Sequence, residues 1–218
     1  MKYIESLIKR YPQLHGLEDS ILSAFEILKE SYEKEGKLLV AGNGGSASDA
    51  EHIVGELMKG FVLPRVIEDN LKEKLRDEDE ELGSFLIDKL QQALPAICLS
   101  SHNSLSTAVL NDIGGEISFA QQLNGYGRQG DVFLAISTSG NSKNILYAAV
   151  LAKAKGMKVI GLTGETGGKL AKYSDVLLNV PEKETYKIQE LHLPIYHCMC
   201  IMLEDYFYNK CKERKDFF

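Results

Sequence analysis

The sequence predicts an α/β fold, in which a doubly wound, five-stranded parallel sheet is flanked by helices. Two observations lead to this prediction. Five short segments are apolar throughout, as expected of strands covered on both faces, and helical patterns lie between them, which is the arrangement of parallel sheets. The segments are residues 37–41, 96–99, 132–136, 159–162 and 175–180. A chain of 218 residues is also long enough to bury a substantial core.

Helical patterns account for most of the remaining chain. Residues 1–35 carry apolar side chains at helical spacing, and Pro12 and Gly16 divide this pattern into two helices. Further helices are predicted at residues 46–60, 142–155, 167–173 and 184–210. We interpret residues 1–218 as a single domain with a helical insertion at 62–94, where leucines recur within a charge-dense stretch. Most of those charges are expected to form a solvated face.

Composition excludes several classes of protein. The net charge is −6, from 25 Lys and Arg against 31 Asp and Glu, whereas nucleic-acid binders carry a basic surface. No apolar run approaches the ~20 residues of a membrane span, and the first residues lack a secretory pattern. We therefore expect a cytoplasmic protein that binds neither nucleic acid nor membrane, with its four cysteines as reduced structural thiols.

A glycine-rich loop follows the first predicted strand, in the run Gly-Asn-Gly-Gly-Ser at residues 42–46. Glycines let the backbone approach a ligand closely, and the N-terminus of the following helix favours an anion. The run matches neither the dinucleotide-binding pattern nor a nucleotide P-loop. Taken alone, it is equally compatible with a structural turn.

A hydroxyl-rich loop follows the third predicted strand, where Ser137, Thr138, Ser139 and Ser142 surround one glycine at the start of a helix. Hydroxyls and backbone N–H groups can form an uncharged phosphate cradle. Ser and Thr also cap helices, but one hydroxyl suffices for a cap. The loop therefore favours a ligand site.

Two helices carry residues suited to a metal or to acid–base chemistry. His52 and Glu56 are four residues apart and share a helix face. On the last helix, Gln189 and His197 are eight residues apart and roughly aligned, and His192 could lie on the same side. Imidazole and carboxylate groups suit zinc. A single helical histidine is more often structural, and spacing alone does not show that the two helices meet.

Three motifs in this order resemble one known family. The runs at residues 41–52, 136–142 and 188–197 are similar to the sugar-isomerase (SIS) fold, a flavodoxin-like fold, and within it to the phosphoheptose isomerases. The resemblance covers nearly all of the chain except 62–94. It implies a homotetramer with active sites between subunits. It also implies conversion of sedoheptulose 7-phosphate to D-glycero-D-manno-heptose 7-phosphate through an enediol(ate).

The resemblance also implies roles for individual residues. Glu56 would be the general base and His197 the general acid, and one zinc ion per subunit would be bound by His52, Glu56, Gln189 and His197. The phosphate would be held by Ser137, Thr138, Ser139 and Ser142. The rest of the substrate would contact Asn43, Gly44, Gly45, Ser46, Glu56, Asn111, Asp112 and Gln189.

These residue types fit an aldose–ketose isomerisation. A carboxylate such as Glu56 can move the carbon-bound proton, and an imidazole such as that of His197 can protonate oxygen near neutral pH. A metal could polarise the carbonyl. Metal binding to Glu56 and His197 would make both less available for proton transfer, so the metal's role is left open as catalytic, structural or substrate-organising.

The chain departs from the family in two places. Tyr186 stands where the family usually has an Asp, three residues before Gln189, which bears on substrate preference. The insertion 62–94 replaces a short loop, and could cover the site, extend the subunit interface or decorate the surface.

Two other functions are compatible with the fold. A non-catalytic SIS tetramer that binds the replication initiator protein has similar loops but generally lacks the equivalents of Glu56 and His197, so their presence favours an enzyme. A sugar-phosphate-sensing regulator would carry a DNA-binding domain, and residues 1–35 show no basic recognition helix.

Overall fold

A five-stranded parallel sheet lies at the centre of the computed structural model, which describes residues 2–209. The strand order is β2-β1-β3-β4-β5, and all four neighbouring pairs are parallel. The predicted α/β fold with a five-stranded parallel sheet is therefore confirmed. The strands are β1 (Leu38–Ala41), β2 (Ala96–Cys98), β3 (Val132–Ile136), β4 (Lys158–Thr163) and β5 (Val176–Asn179).

Nine α-helices surround the sheet in the described part of the chain. They are α1 (Lys2–Arg10), α2 (Glu18–Glu33), α3 (Gly45–Met58), α4 (Asp69–Glu78), α5 (Glu80–Lys89), α6 (Asn103–Val109), α7 (Ser118–Tyr126), α8 (Lys143–Ala154) and α9 (Thr185–Tyr208). Short 3-10 helices span Pro12–Leu17, Gly115–Ile117 and Gly168–Tyr173, and a π-helical turn spans Leu110–Gly114. The predicted helical stretch at 167–173 is thus a 3-10 helix. Residue 210, the predicted end of the last helix, lies outside the described residues.

The sheet separates two apolar cores, because alternate strand residues face opposite sides. In β3, Leu134 and Ile136 pack with α1, α2, α3 and α9, whereas Phe133 and Ala135 pack with α7 and α8. Both faces of the central strands are buried. This double coverage explains why these strands are apolar throughout their length.

Residues 62–94 connect α3 to β2 and contain the helix pair α4 and α5. The two helices meet at Asp79, whose carboxylate accepts a hydrogen bond of 2.8 Å from the backbone N–H of Leu82 and so caps α5. The pair leaves apolar side chains in solvent, notably Leu82 and Phe85, which are 64% and 62% exposed. The α4–α5 pair therefore adds surface and little core.

A buried ion pair ties the end of α3 to α9. Arg65 and Glu204 are both inaccessible to solvent, and Arg65 Nε donates to Glu204 Oε1 at 2.8 Å. The same carboxylate accepts from the backbone N–H groups of residues 61–63 at 2.7, 2.8 and 3.1 Å. The remaining guanidinium nitrogens donate to the carbonyls of Leu57 (2.6 Å) and Glu56 (3.0 Å). The segment that leaves α3 is thereby fixed to the last helix.

Three of the four cysteines lie within the core. Cys98, Cys198 and Cys200 are buried free thiols, and burial raises the pKa of Cys198 to about 11 and that of Cys200 to about 12. Such thiols are chemically inert at neutral pH. Cys211 lies outside the described residues. Among residues 2–209, no helix is both long and apolar enough to cross a bilayer.

His192 is a buried neutral histidine on α9. Its Nε2–H donates to the carbonyl of Thr163 at 3.2 Å, and within residues 2–209 its Nδ1 has no hydrogen-bond partner. Burial lowers the pKa of His192 to about 4, against a small opposing effect of that hydrogen bond. The structure therefore places this histidine in the core, facing the sheet.

We expect this histidine to make the protein less stable in mild acid. Below pH ~6.5 the unfolded chain binds a proton that folded His192 does not take up until about pH 4. The free energy of unfolding should therefore fall by about 3 kcal/mol from this group as the pH drops across that interval. Urea unfolding of the wild type and of His192→Gln between pH 7 and pH 4.5 measures the difference, with exposed His15→Gln as the control. An equal loss in His192→Gln and the wild type would contradict the assignment.

Candidate active site

A cavity of about 230 Å³ opens at the carboxyl edge of the sheet, between the loops that follow β1 and β3. The chain runs outward from β1 in both directions across the sheet, so this is the topological switch point, where doubly wound folds bind ligands. The cavity is lined by Asn43, Gly44, Gly45, Ser46, Ile136, Ser137, Thr138, Ser142, Thr185 and Gln189.

Three helices begin at this cavity, namely α3, α8 and α9. Among the described residues, those that precede these helices (Gly44, Ser142 and Glu184) make no side-chain capping hydrogen bond, although Asn144 Oδ1 accepts from the Ile145 N–H in the first turn of α8 at 3.0 Å. The first N–H groups of a helix have no partner within the helix, and they carry partial positive charge. Three helix N-termini at one cavity are therefore suited to bind an anion. Sequence reasoning identified the first two and missed the third, which starts at Thr185.

The hydroxyl-rich loop supplies further donors. Ser137 Oγ donates to Ser142 Oγ at 3.1 Å, and both side chains line the cavity together with Thr138. Ser139 does not line it, because its Oγ accepts from the backbone N–H of Asn141 at 3.2 Å within the loop. Since Ser142 does not use its hydroxyl as a helix cap, the loop resembles a ligand cradle more than an over-supplied cap.

Gly140 sets the shape of this loop. Its φ of 63° lies in the left-handed region, and a Cβ there would lie 2.0 Å from the carbonyl oxygen of Gly167. Any side chain at this position would therefore displace the backbone of one loop or the other.

Asn144 holds the glycine-rich loop against α8. The amides of Asn43 and Asn144 exchange two hydrogen bonds, of 3.0 and 2.8 Å. The sequence analysis missed Asn144, because an Asn in the first turn of a helix has no distinctive pattern. The amide of Gln189 lies next to Gly45. If residue 45 had a Cβ, that atom would be 2.5 Å from the amide nitrogen. Gly45 thus allows the side chain of Gln189 to reach the start of α3.

A second group of polar side chains lies further along α3 and α9, which pack against each other. His52 Nε2 is 3.2 Å from Glu56 Oε1, and Glu56 Oε2 is 3.2 Å from Lys59 Nζ. The ring of His197 stands edge-on to that of His52, with 4.9 Å between centroids. The structure therefore brings together three of the four predicted metal ligands.

Tyr196 and Asp49 orient His52. The Tyr196 hydroxyl donates to Asp49 Oδ1 at 3.2 Å and lies 3.1 Å from His52 Nδ1. Tyr196 thus links Asp49 to His52, and the direction of its hydrogen bond with His52 depends on the tautomer of that ring. Burial raises the pKa of both Tyr196 and Asp49. The other ring nitrogen, Nε2, faces Glu56, and a histidine held in this way through Nδ1 is suited to bind a metal through Nε2. Sequence reasoning missed Tyr196, because a tyrosine on an apolar helix has the pattern of a core residue.

His197 is a partly buried base. Burial lowers the pKa of His197, and the nearby His52 lowers it further. Its Nε2 is buried and has no hydrogen-bond partner among residues 2–209. An unpartnered imidazole nitrogen beside a carboxylate is suited to bind a substrate atom or a metal.

Other predicted residues lie apart from this group. Gln189 precedes His197 by two helical turns and lines the loop cavity. Asn111 and Asp112 are exposed on the π-helical turn and do not line the cavity. Tyr186 is 56% exposed in the first turn of α9. In the described chain, no three His, Cys, Asp or Glu side chains form a preformed metal site.

Comparisons with known proteins agree with this geometry. Residues 2–78 and 82–164 match the model of the SIS domain family. A phosphoheptose isomerase of Aneurinibacillus thermoaerophilus is 38% identical over 200 residues, covering 87% of this chain and 88% of that protein. One from Helicobacter pylori strain P12 is 39% identical over 197 residues, covering 90% and 89%.

Solved structures give the same relationship. The phosphoheptose isomerase GmhA of Neisseria gonorrhoeae superposes with a TM-score of 0.73 at 33% identity, covering 92% of this chain and 94% of that one. The phosphoheptose isomerase of Francisella tularensis gives 0.74 at 33% identity, covering 94% and 95%. On the family match and these relatives together, the chain belongs to the phosphoheptose isomerase family of SIS-domain proteins.

Proposed function

We propose that this protein is an aldose–ketose isomerase that converts sedoheptulose 7-phosphate to D-glycero-D-manno-heptose 7-phosphate. One observation carries the proposal: α3 and α9 begin at an uncharged anion cradle, and the same two helices carry a carboxylate–imidazole group further along. Glu56 lies eleven residues after Gly45, about 16 Å along α3, and its side chain tilts back toward the helix start. The arrangement suits a substrate with phosphate at one end and reacting carbons at the other.

The phosphate would be bound by Ser137, Thr138 and Ser142 together with N–H groups at the N-termini of the three helices. The family resemblance adds Ser139. Asn43, Gly44, Gly45, Ser46 and Gln189 would contact the sugar, since they line the same cavity.

Proton transfer would be divided between two residues. Glu56 takes the proton from one carbon and returns it to the next, and His197 exchanges a proton with the substrate oxygen. The lowered pKa of His197 makes its protonated form the stronger acid. The contact of Lys59 with Glu56 Oε2 leaves Oε1 as the oxygen directed at His52.

The residues present fit a zinc ion. His52 Nε2 and a Glu56 oxygen lie 3.2 Å apart, close enough to bind the same cation. The unpartnered Nε2 of His197 is a further nitrogen donor. His52, Glu56 and His197 would hold the zinc ion, and the family resemblance adds Gln189. When bound, zinc would supply Lewis-acid polarisation of the substrate carbonyl.

We also propose that four copies of this single SIS domain form a homotetramer in the cytoplasm, with active sites between subunits. Asn111 and Asp112 would then reach the substrate of a neighbouring copy. The side chains that flank them support this, because Leu110 and Ile113 are each 63% exposed and would be buried in such an interface. The comparisons give no support to the alternative, a non-catalytic tetramer that binds the replication initiator protein.

The cradle can be tested with inorganic phosphate alone. Gly140→Ala should weaken phosphate binding by at least about ten-fold, because the strained φ and the contact with Gly167 force the loop to move. Calorimetric titration measures the affinity. Gly16→Ala is the matched control, since nothing lies within 4 Å of its Cβ position. Equal phosphate affinity in the wild type and Gly140→Ala would argue against the loop as the phosphate site.

The general base can be tested by turnover. Glu56→Gln should lower kcat on sedoheptulose 7-phosphate by about 10²–10⁴-fold, because the amide cannot accept the carbon-bound proton. Glu51→Gln, an exposed position on the same helix that contacts Ser101, should retain wild-type kcat. Unchanged turnover in Glu56→Gln would refute its assigned role.

Zinc binding can be tested without an activity assay. We expect the wild type to bind one zinc ion per subunit. His52→Ala should remove high-affinity binding, and Tyr196→Phe should weaken it by about 10–100-fold through loss of the partner that orients His52. Metal analysis with chelator competition measures both, and His15→Ala serves as the control. The metal assignment fails if His52→Ala binds zinc as tightly as the wild type.

A further inference from the structure

We infer that Arg65 is a positioning residue for the isomerisation, which fixes Glu56 relative to His197 through its buried ion pair with Glu204. The inference rests on the proposed function, because it assigns Arg65 to the geometry of the same two reacting groups. Arg65 contacts the backbone of Glu56 and does not line the loop cavity.

Arg65 holds the last turn of α3. The final four carbonyls of a helix have no partner within it. Arg65 donates to two of them, those of Glu56 and Leu57, at 3.0 and 2.6 Å. One of these belongs to the proposed base itself, so the guanidinium fixes the backbone from which that carboxylate projects.

Glu204 connects the same guanidinium to the helix that carries His197. His197 and Glu204 are seven positions apart on α9, about two turns, and therefore lie on one side of that helix. Its carboxylate is fully buried and accepts from Arg65 and from the three backbone N–H groups of residues 61–63. A rigid chain of hydrogen bonds thus runs from the Glu56 backbone to α9.

Stability alone is a weak reason for this arrangement. Taking two charges out of water costs about as much as their attraction returns, and well-packed apolar residues often replace such a pair without loss. Directional hydrogen bonds supply geometry that apolar packing does not. A displacement of about 1 Å in a catalytic group can lower the rate about 10²-fold. The Arg65–Glu204 pair is therefore useful because it aligns the reacting groups that two different helices carry.

Arg65→Lys separates charge from geometry. Lysine can pair with Glu204, but it has no planar fork with which to hold the carbonyls of residues 56 and 57 at the same time. We expect a folded protein whose kcat on sedoheptulose 7-phosphate falls about 10- to 100-fold while KM stays within about three-fold.

The double variant Arg65→Met/Glu204→Met tests the same point without any buried charge. It should remain folded and show the same selective loss of kcat. Asp131→Asn is the matched control: Asp131 is a buried carboxylate that pairs with Lys37 at the opposite edge of the sheet. It should lower the midpoint of urea unfolding and leave kcat unchanged.

Histidine side-chain ¹⁵N spectra give a readout that does not depend on turnover. The resonances of His52 and His197 should shift in both Arg65 variants and stay in place in Asp131→Asn. If the wild type lacks isomerase activity, the proposed function fails, and these spectra still decide whether Arg65 positions the cluster. Wild-type kcat and unshifted resonances in folded Arg65 variants would overturn the inference. Failure of both Arg65 variants to fold would also overturn it, since the pair would then serve folding.

Discussion

The parallel sheet is the constraint on which the rest of this structure depends. Because every strand runs in the same direction, every strand-to-helix loop emerges at one edge. Three helices therefore begin side by side, with their N-termini at one cavity. The loops after β1 and β3 then need to contribute only small residues and hydroxyl groups to complete a binding site. The proposed anion site thus depends first on topology, and the hydroxyls of Ser137, Thr138 and Ser142 supply further donors.

The helices α3 and α9 extend this site away from the loops. They start together at the cavity and stay in contact, so side chains further along the two helices can meet. His52 and Glu56 come from one helix and His197 from the other. The Arg65–Glu204 pair links the end of α3 to α9 beyond these residues. In the proposed mechanism the acid–base residues thus lie on two packed helices, and the phosphate cradle lies in the loops where helices begin.

Much of the fold and of the candidate site could be predicted from the sequence. Strands buried on both faces are apolar throughout, so all five were located from residue type alone. The glycine-rich and hydroxyl-rich loops have unusual composition directly after strands. Other features depend on contacts between residues that are far apart in the sequence. Examples are the packing of α3 against α9 and the position of Gln189, which lies at the cavity and not beside His52. Another is the pair of hydrogen bonds between Asn43 and Asn144, which are 101 residues apart. No local pattern encodes such contacts, and a fully buried arginine resembles a surface residue in sequence.

The uncharged cradle has a consequence for how the protein responds to its surroundings. Sites built from lysine and arginine attract anions over long distances, and dissolved salt screens that attraction. Here the donors are hydroxyls and backbone N–H groups, which act over short distances. The affinity for phosphate should therefore change little with ionic strength. An overall charge of −6 is compatible with such a site, because the anion is recognised only after it has entered the cavity.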